Sequence, residues 1–189
     1  RKQLRRETNE NKKAQAELDE MAIRDTLTGL FGHRHFMSLL EQEIEQAIRY
    51  EHDLSILVME LDKFKPIVTR HGRASGDQVL EAVAEIIRDN IRAGDAASRA
   101  GVGEFTVLFP EANVERAAQI AERIRADVAK FPIPTARGTA DITLSAGVAQ
   151  LPKQGEATLE TLVARAQSVL RAAKRAGGNQ VVIWDERAE

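Results

Sequence analysis

Two glycines punctuate the stretch Arg99-Ala-Gly101-Val-Gly103-Glu104, and a strand-like run, Phe105-Thr-Val-Leu-Phe109, follows at once. Glycine reaches positive φ without strain, so a pair of them at a strand junction predicts a tight hairpin. A hairpin joins neighbouring strands in opposite directions. Any sheet that contains it cannot be wholly parallel, whatever helices alternate with the other strands.

Around that hairpin the periodicity changes several times. Residues 1 to about 24 are polar, lack glycine and proline, and place Leu4, Asn11 and Leu18 at one heptad position with Glu7, Ala14 and Met21 three residues later, which reads as the end of a two-stranded coiled coil or as a solvated helix. Asp25-Thr-Leu-Thr-Gly29-Leu30 breaks the helix, and Arg34 to Glu51 resumes it with Phe36, Leu39, Leu40, Ile44 and Ala47 at helical spacing. Leu54 to Leu61 is a short, largely apolar run that fits a strand covered on both faces, with Glu60 and Asp62 at its C-terminal end. A short helix over Lys63 to His71, turns at Gly72 and Gly76, and a longer helix beginning near Asp77 follow. The helix from Val114 to Ala129, a proline-rich loop at 131–134, a strand over Ile142 to Val148, a helix from Leu159 to Ala176 and a closing strand from Val181 to Trp184 complete the chain. The pattern predicts an α+β fold: a mostly antiparallel central sheet of about five strands covered by helices, with residues 1–24 as an N-terminal helix and 25–189 as the globular part.

The composition excludes several functions. Lys+Arg 27 against Asp+Glu 29 gives a net charge of -2, so no broad field favours nucleic acid or an anionic membrane, and any anion site is local. With no cysteine and four scattered histidines, thiolate zinc sites are excluded and a histidine metal cluster is poorly served. No apolar run approaches the ~20 residues that span a bilayer, which predicts no direct membrane insertion and a cytoplasmic location.

Taken together, these segments resemble the GGDEF domain of bacterial diguanylate cyclases. Asp25-Thr-Leu-Thr-Gly-Leu30 with Arg34 and Phe36 resembles DxLTGLxNRRxF, although Gly32 and His33 replace its Asn and first Arg. Glu60-Leu-Asp62-Lys-Phe64-Lys65, with Gly72, Gly76, Asp77 and Leu80, resembles DIDxFKxxNDxxGHxxGDxxL, while Gly101-Val-Gly-Glu-Phe105 stands at the GGDEF position and Ala173-Lys174 to Asn179 resembles AKxxGRN. The resemblance implies a nucleotidyl-cyclase-like fold and a substrate site that condenses two GTP molecules into cyclic di-GMP with divalent cations.

Several of the implied substrate-site residues are replaced. The metal carboxylates would fall at Glu60 and Gly103, the guanine-reading Asn at Val68, the phosphate-binding Arg at Gly178 and the second signature glycine at Val102. Glu60, Asp62, Lys65, Asp77, Glu104 and Lys174 remain as a vestigial substrate site, with ordinary surface or capping roles as the plain alternative for Lys65, Lys174 and Asp77. On these grounds we expect no catalytic residues, lost or weak Mg²⁺ binding, and a protein that is not an enzyme.

Upstream of the signature, Arg92-Ala-Gly-Asp95 matches RxxD at the offset of the family's inhibitory product site, and Arg123 matches an arginine that supplies a further contact in relatives. An arginine fork suits guanine O6 and N7 or a phosphate. The resulting expectation is a cyclic di-GMP receptor that binds through Arg92, Asp95 and Arg123. It would relay occupancy through a homodimer, held by the N-terminal helix or by bridging ligand, to or from an upstream sensor domain. Two alternatives stay open: a divergent diguanylate cyclase or GTP-binding domain of weak activity, and a dimerisation module that binds no nucleotide.

Overall fold

The computed structural model describes residues 23–130 and 132–185. The expected helix at 1–24 lies outside the described residues, apart from its last two positions.

One strand, β2 (Leu54–Asp62), runs through the middle of a six-stranded sheet, with β1 (Phe31–Gly32), β3 (Ala96–Gly101) and β4 (Glu104–Pro110) on one side and β7 (Thr143–Gln150) and β8 (Val181–Ile183) on the other. The order is β1-β3-β4-β2-β7-β8; β2 is antiparallel to both neighbours, and the outer pairs β1–β3 and β7–β8 are parallel. The sheet is therefore mostly antiparallel, as expected, with the two-residue β1 added to the strands anticipated from sequence.

Helices cover both faces. Alternation along β2 sends Leu57, Met59 and Leu61 into a core with α3 (Arg73–Asn90) and α4 (Val114–Lys130), where Val79, Val83, Ile87, Ala121 and Ile124 meet them. Ile56 and Val58 point the other way, against Phe36, Leu40 and Ile44 of α1 (His33–Tyr50) and Leu162 and Ala166 of α5 (Leu159–Arg175). With both faces covered, neither set can be polar, and so β2 reads as a continuous apolar run.

Two expectations are corrected. Gly76 is no turn: it sits buried inside α3, where an added Cβ would lie 2.7 Å from Cγ2 of Val68. The bare backbone lets α3 start at Arg73, ahead of Asp77, and lets α2 (Phe64–His71) pack closely against it. The proline-rich segment is also not simply a loop. Ile133–Thr135 (β5) pairs antiparallel with Gly138–Ala140 (β6), and Ile133 and Ala140 drop into the core beside α3.

Helix and sheet approach closely at Gly147 on β7. A Cβ there would stand 2.2 Å from the Ala166 carbonyl oxygen and 2.6 Å from the Leu170 nitrogen, both helix backbone that cannot step aside. Gly147→Ala should therefore destabilise by about 3 kcal/mol, at the upper end of typical overpacking costs. The midpoint of urea denaturation checks this.

Candidate functional site

The chain ends of β2 and β4 build one cluster. Glu60 faces Glu104 across the β2–β4 ladder and Ser145 across β2–β7. The β3–β4 hairpin closes over this edge through Gly103, whose φ of 76° only glycine adopts readily and whose carbonyl accepts from the Leu61 N–H at 2.9 Å. At its tip Val102 is 76% exposed.

The two carboxylates of β2 have different partners. Glu60 Oε1 accepts from Lys174 Nζ of α5 at 2.5 Å. Asp62 is held almost entirely by the scaffold: Ser145 Oγ donates to Oδ1 at 2.7 Å, and Thr143 Oγ1 and the Asn179 N–H donate to Oδ2 at 2.7 and 2.9 Å. A carboxylate with three donors is held in place by the scaffold and has little capacity left for a ligand. Asp62 also explains Gly178, where a Cβ would crowd both carboxylate oxygens at 3.0 and 3.1 Å on a backbone with φ of 77°.

The other sequence-predicted residues are spread around this edge. Lys65 lies exposed in the first turn of α2, and Asp77 is half-buried on α3. Val68, at the position of the base-reading Asn, packs on Gly76 and brings no polar atom. Among the described residues no group of three or more His, Cys, Asp or Glu side chains could hold a metal ion. The donor set makes a poor two-carboxylate Mg²⁺ site: Glu60 faces Glu104 but is paired with Lys174, Asp62 is engaged, and Gly103 brings no carboxylate.

A second cluster forms in the turn between α3 and β3. Arg92 Nε donates to Asp95 Oδ1 at 3.1 Å, the Arg92 backbone N–H donates to Oδ2 at 3.0 Å, and the Asp95 N–H returns to the Arg92 carbonyl at 3.0 Å. Arg92 Nη2 donates to the Pro110 carbonyl at the end of β4. The Asp95 side chain is 1% exposed and the Arg92 side chain 47% exposed, so the carboxylate aims the guanidinium while its remaining N–H groups face solvent. From α4, Arg123 Nη2 reaches the Asn90 carbonyl at 3.2 Å and joins the turn. The structure thus gathers Arg92, Asp95 and Arg123 at one end of α3 and leaves the β2 cluster at the other. Eighteen helical residues separate the ends of α3, about 27 Å.

Sequence reasoning passed over Arg125 and Glu122. Arg125 Nε donates to both Glu122 oxygens at 3.0 and 2.9 Å, and its Nη1 donates to Asn179 Oδ1 at 2.7 Å. The i,i+3 spacing of the Glu and Arg was a legible signal; the Asn179 contact, 54 residues away, was not.

Comparison with known proteins comes from three directions. Residues 22–180 match the family model described as diguanylate cyclase, GGDEF domain. The diguanylate cyclase DosC of Escherichia coli K12 is 36% identical over 160 residues, 85% of this chain and 35% of DosC, and the diguanylate cyclase DgcM of the same strain is 34% identical over 173 residues, 92% of this chain and 41% of DgcM. The chain thus spans well under half the length of these curated relatives. Among solved structures, the GGDEF domain of DgcB from Caulobacter crescentus in complex with c-di-GMP superposes with a TM-score of 0.81 at 30% identity, covering 86% of this chain and 95% of that one. The coiled coil and GGDEF domain of DgcB, also with c-di-GMP, gives 0.80 at 28%, covering 96% and 97%. The expectation that the chain is not an enzyme is corrected by these matches: the family and the named relatives are diguanylate cyclases, which are enzymes. Among the described residues no helix is long and apolar enough to cross a membrane.

The Arg125 hydrogen bond is the largest influence on Glu122 and holds its carboxyl below the ordinary range, opposed by partial burial and assisted by charge attraction; Arg125 is raised in return. A carboxyl depressed by folding stabilises fully above its unfolded value, ~4.3, and that contribution is lost as pH falls through the folded value. Glu122→Gln should therefore cost about 0.5 kcal/mol near neutrality, a small figure because the carboxylate is solvent-screened, and almost nothing near pH 3. Urea titrations of both proteins at the two pH values check it.

Proposed function

We propose, from the premise that this chain belongs to the GGDEF domain family of diguanylate cyclases, that it binds cyclic di-GMP at the Arg92–Asp95 turn and works as a signalling part of a larger cytoplasmic protein. The observation that carries this reading is the convergence of Arg123 on the carbonyl of Asn90, two residues before Arg92, which places two cationic forks at one exposed turn. An arginine fork offers parallel N–H groups to guanine O6 and N7 or to a phosphodiester. Asp95 holds Arg92 in one orientation through its Nε. The DgcB domains that superpose on this fold are complexes with c-di-GMP, which supports the ligand class. A ligand bridging Arg92 of one domain and Arg123 of another would fix a dimer, and the segment before Asp25 would carry that arrangement to a neighbouring domain.

A second reading concerns the β2 edge, where Glu60, Glu104 and Lys174 converge and where the relatives' named activity draws attention. We place weak GTP condensation there, limited by the poor cation site. Lys174 would meet phosphate only by leaving Glu60, so substrate binding competes with an ion pair already made.

Cyclic di-GMP titrated calorimetrically into the parent and into Arg92→Ala tests the first reading. The variant should bind at least about tenfold more weakly, a loss of ~1.4 kcal/mol. Equal affinities would sink it. For the second, Gly103→Asp adds a carboxylate at a left-handed position that Asp tolerates, with the new Cβ 3.3 Å from the Phe64 ring. Product formation from GTP with Mg²⁺ or Mn²⁺ should rise roughly 10²-fold, the size of one electrostatic contribution. An unchanged rate would remove the hairpin tip from the reaction.

A further inference from the structure

Helix α4 makes polar contacts in two directions, one at the Arg92–Asp95 turn and one, through Arg125, that sequence reasoning did not anticipate. Toward α3, Arg123 donates to the Asn90 carbonyl at 3.2 Å, and Asp127 Oδ2 accepts from Asn90 Nδ2 at 3.0 Å. Toward the α5–β8 turn, Arg125 donates to Asn179 Oδ1 at 2.7 Å, and the Asn179 N–H continues to Asp62 at 2.9 Å. Asp62 is anchored in turn by Ser145 and Thr143 of β7. The Arg125 side chain is 18% exposed and is itself held by Glu122, so the middle of this chain of contacts is fixed rather than waving in solvent.

The turn it reaches needs such support. Gly177, Gly178 and Asn179 have φ of 114°, 77° and 50°, three successive residues on the left-handed side, where only glycine rests without strain. Two backbone bonds, from Gly177 to the Lys174 carbonyl and from Gly178 to the Ala173 carbonyl, close the helix end. Beyond them, Asn179 is tied down by Arg125 through its side chain and by Asp62 through its backbone. Lys174, whose ammonium pairs with Glu60, is the residue on which this turn closes.

We infer that Arg125 is a positioning residue: it presses the 177–180 turn onto Asp62, sets Lys174 against Glu60, and makes α4 the link between the Arg92–Asp95 turn and the β2 edge. Occupancy at the first place reaches the second when a ligand draws Arg123 from the Asn90 carbonyl and shifts the hold of α4 on Asn179. The linking step rests on the cyclic di-GMP reading above; the positioning step does not.

Residue-resolved amide exchange, read by NMR on the whole chain, separates the two. Arg125→Ala should speed exchange at the Asn179 amide about tenfold, since one charge-assisted hydrogen bond is lost, with Val107 in β4 unchanged. Asn179→Gly removes only the side-chain acceptor and suits the positive φ, so it should reproduce the effect even if Arg125→Ala folds poorly; the double variant should add nothing further. Asn179 exchange unaltered by Asn179→Gly and by a folded Arg125→Ala overturns the positioning role, whatever cyclic di-GMP does. Saturating cyclic di-GMP should then change Asn179 exchange at least threefold in the parent and not in Asn179→Gly, with equal ligand affinity. A change that persists in the variant, or none in a parent that binds, overturns the link. No binding by the parent overturns the cyclic di-GMP reading and with it the link, leaving the basal exchange comparison to decide the positioning role.

Discussion

Burial of β2 on both faces is the constraint from which the rest follows. A strand with Leu57, Met59 and Leu61 on one side and Ile56 and Val58 on the other must be roofed twice, so two helix layers are required rather than one. Each buried side chain of this size contributes about 1.5–3 kcal/mol when removed from water, and the alternation recruits both layers through a single segment. The same strand ends in Glu60 and Asp62, so the rigid centre of the fold and the polar edge are one piece of chain. Side chains on a strand so enclosed are placed more firmly than any loop could place them.

At that edge, one carboxylate belongs to the scaffold and the other to an exposed ion pair. Asp62 receives three hydrogen bonds, and to lose it would strand two hydroxyls and a backbone N–H at the sheet's end. Glu60 meets a lysine at the surface, where such pairs contribute little to stability and exchange partners readily. The replacements at Gly103, Val68 and Gly178 act on the same edge in different ways: one withholds a carboxylate, one fills space with methyl groups, and one gives way to Asp62. The position of Glu60 beside Glu104 explains why a partner cation is needed at all, since two carboxylates facing across a ladder repel unless a positive group stands between or beside them.

Much of this was legible from residues alone, and the misses share a cause. The hairpin at Gly101–Gly103, the apolar run of β2 and the 3.6-residue stripes of the helices are local signals, and the structure keeps all of them. Gly76 was misread because glycine punctuates turns far more often than it permits close helix contact, and only the position of Val68 tells the two apart. The β5–β6 hairpin hid behind its prolines, which hold Pro134 at a strand position without a donor of its own. Asp62 stands in a motif that the resemblance links to the substrate site, whereas its hydrogen-bond partners Thr143, Ser145 and Asn179 lie 81, 83 and 117 residues away. No period or motif within one segment can report that.

The turn at Arg92 joins local and distant signals. Its arginine and aspartate, three residues apart, form a pair that sequence anticipates, whereas the Pro110 carbonyl and the approach of Arg123 come from tertiary packing. The self-pairing bears directly on the recognition proposed for this turn. Because Asp95 is almost fully covered and already holds Arg92 by its Nε and its backbone N–H, the guanidinium is oriented before any ligand arrives. A side chain as flexible as arginine loses up to ~2 kcal/mol of rotamer freedom when it is fixed, and here much of that loss belongs to folding rather than to binding. Arg123 is different: it lends one N–H to an exposed carbonyl at 3.2 Å and can exchange it for a phosphate or a base edge. One fork is therefore set and the other is adjustable. On the proposed ligand capture, movement should begin on α4, the helix that also holds Asn179 through Arg125 two residues further on.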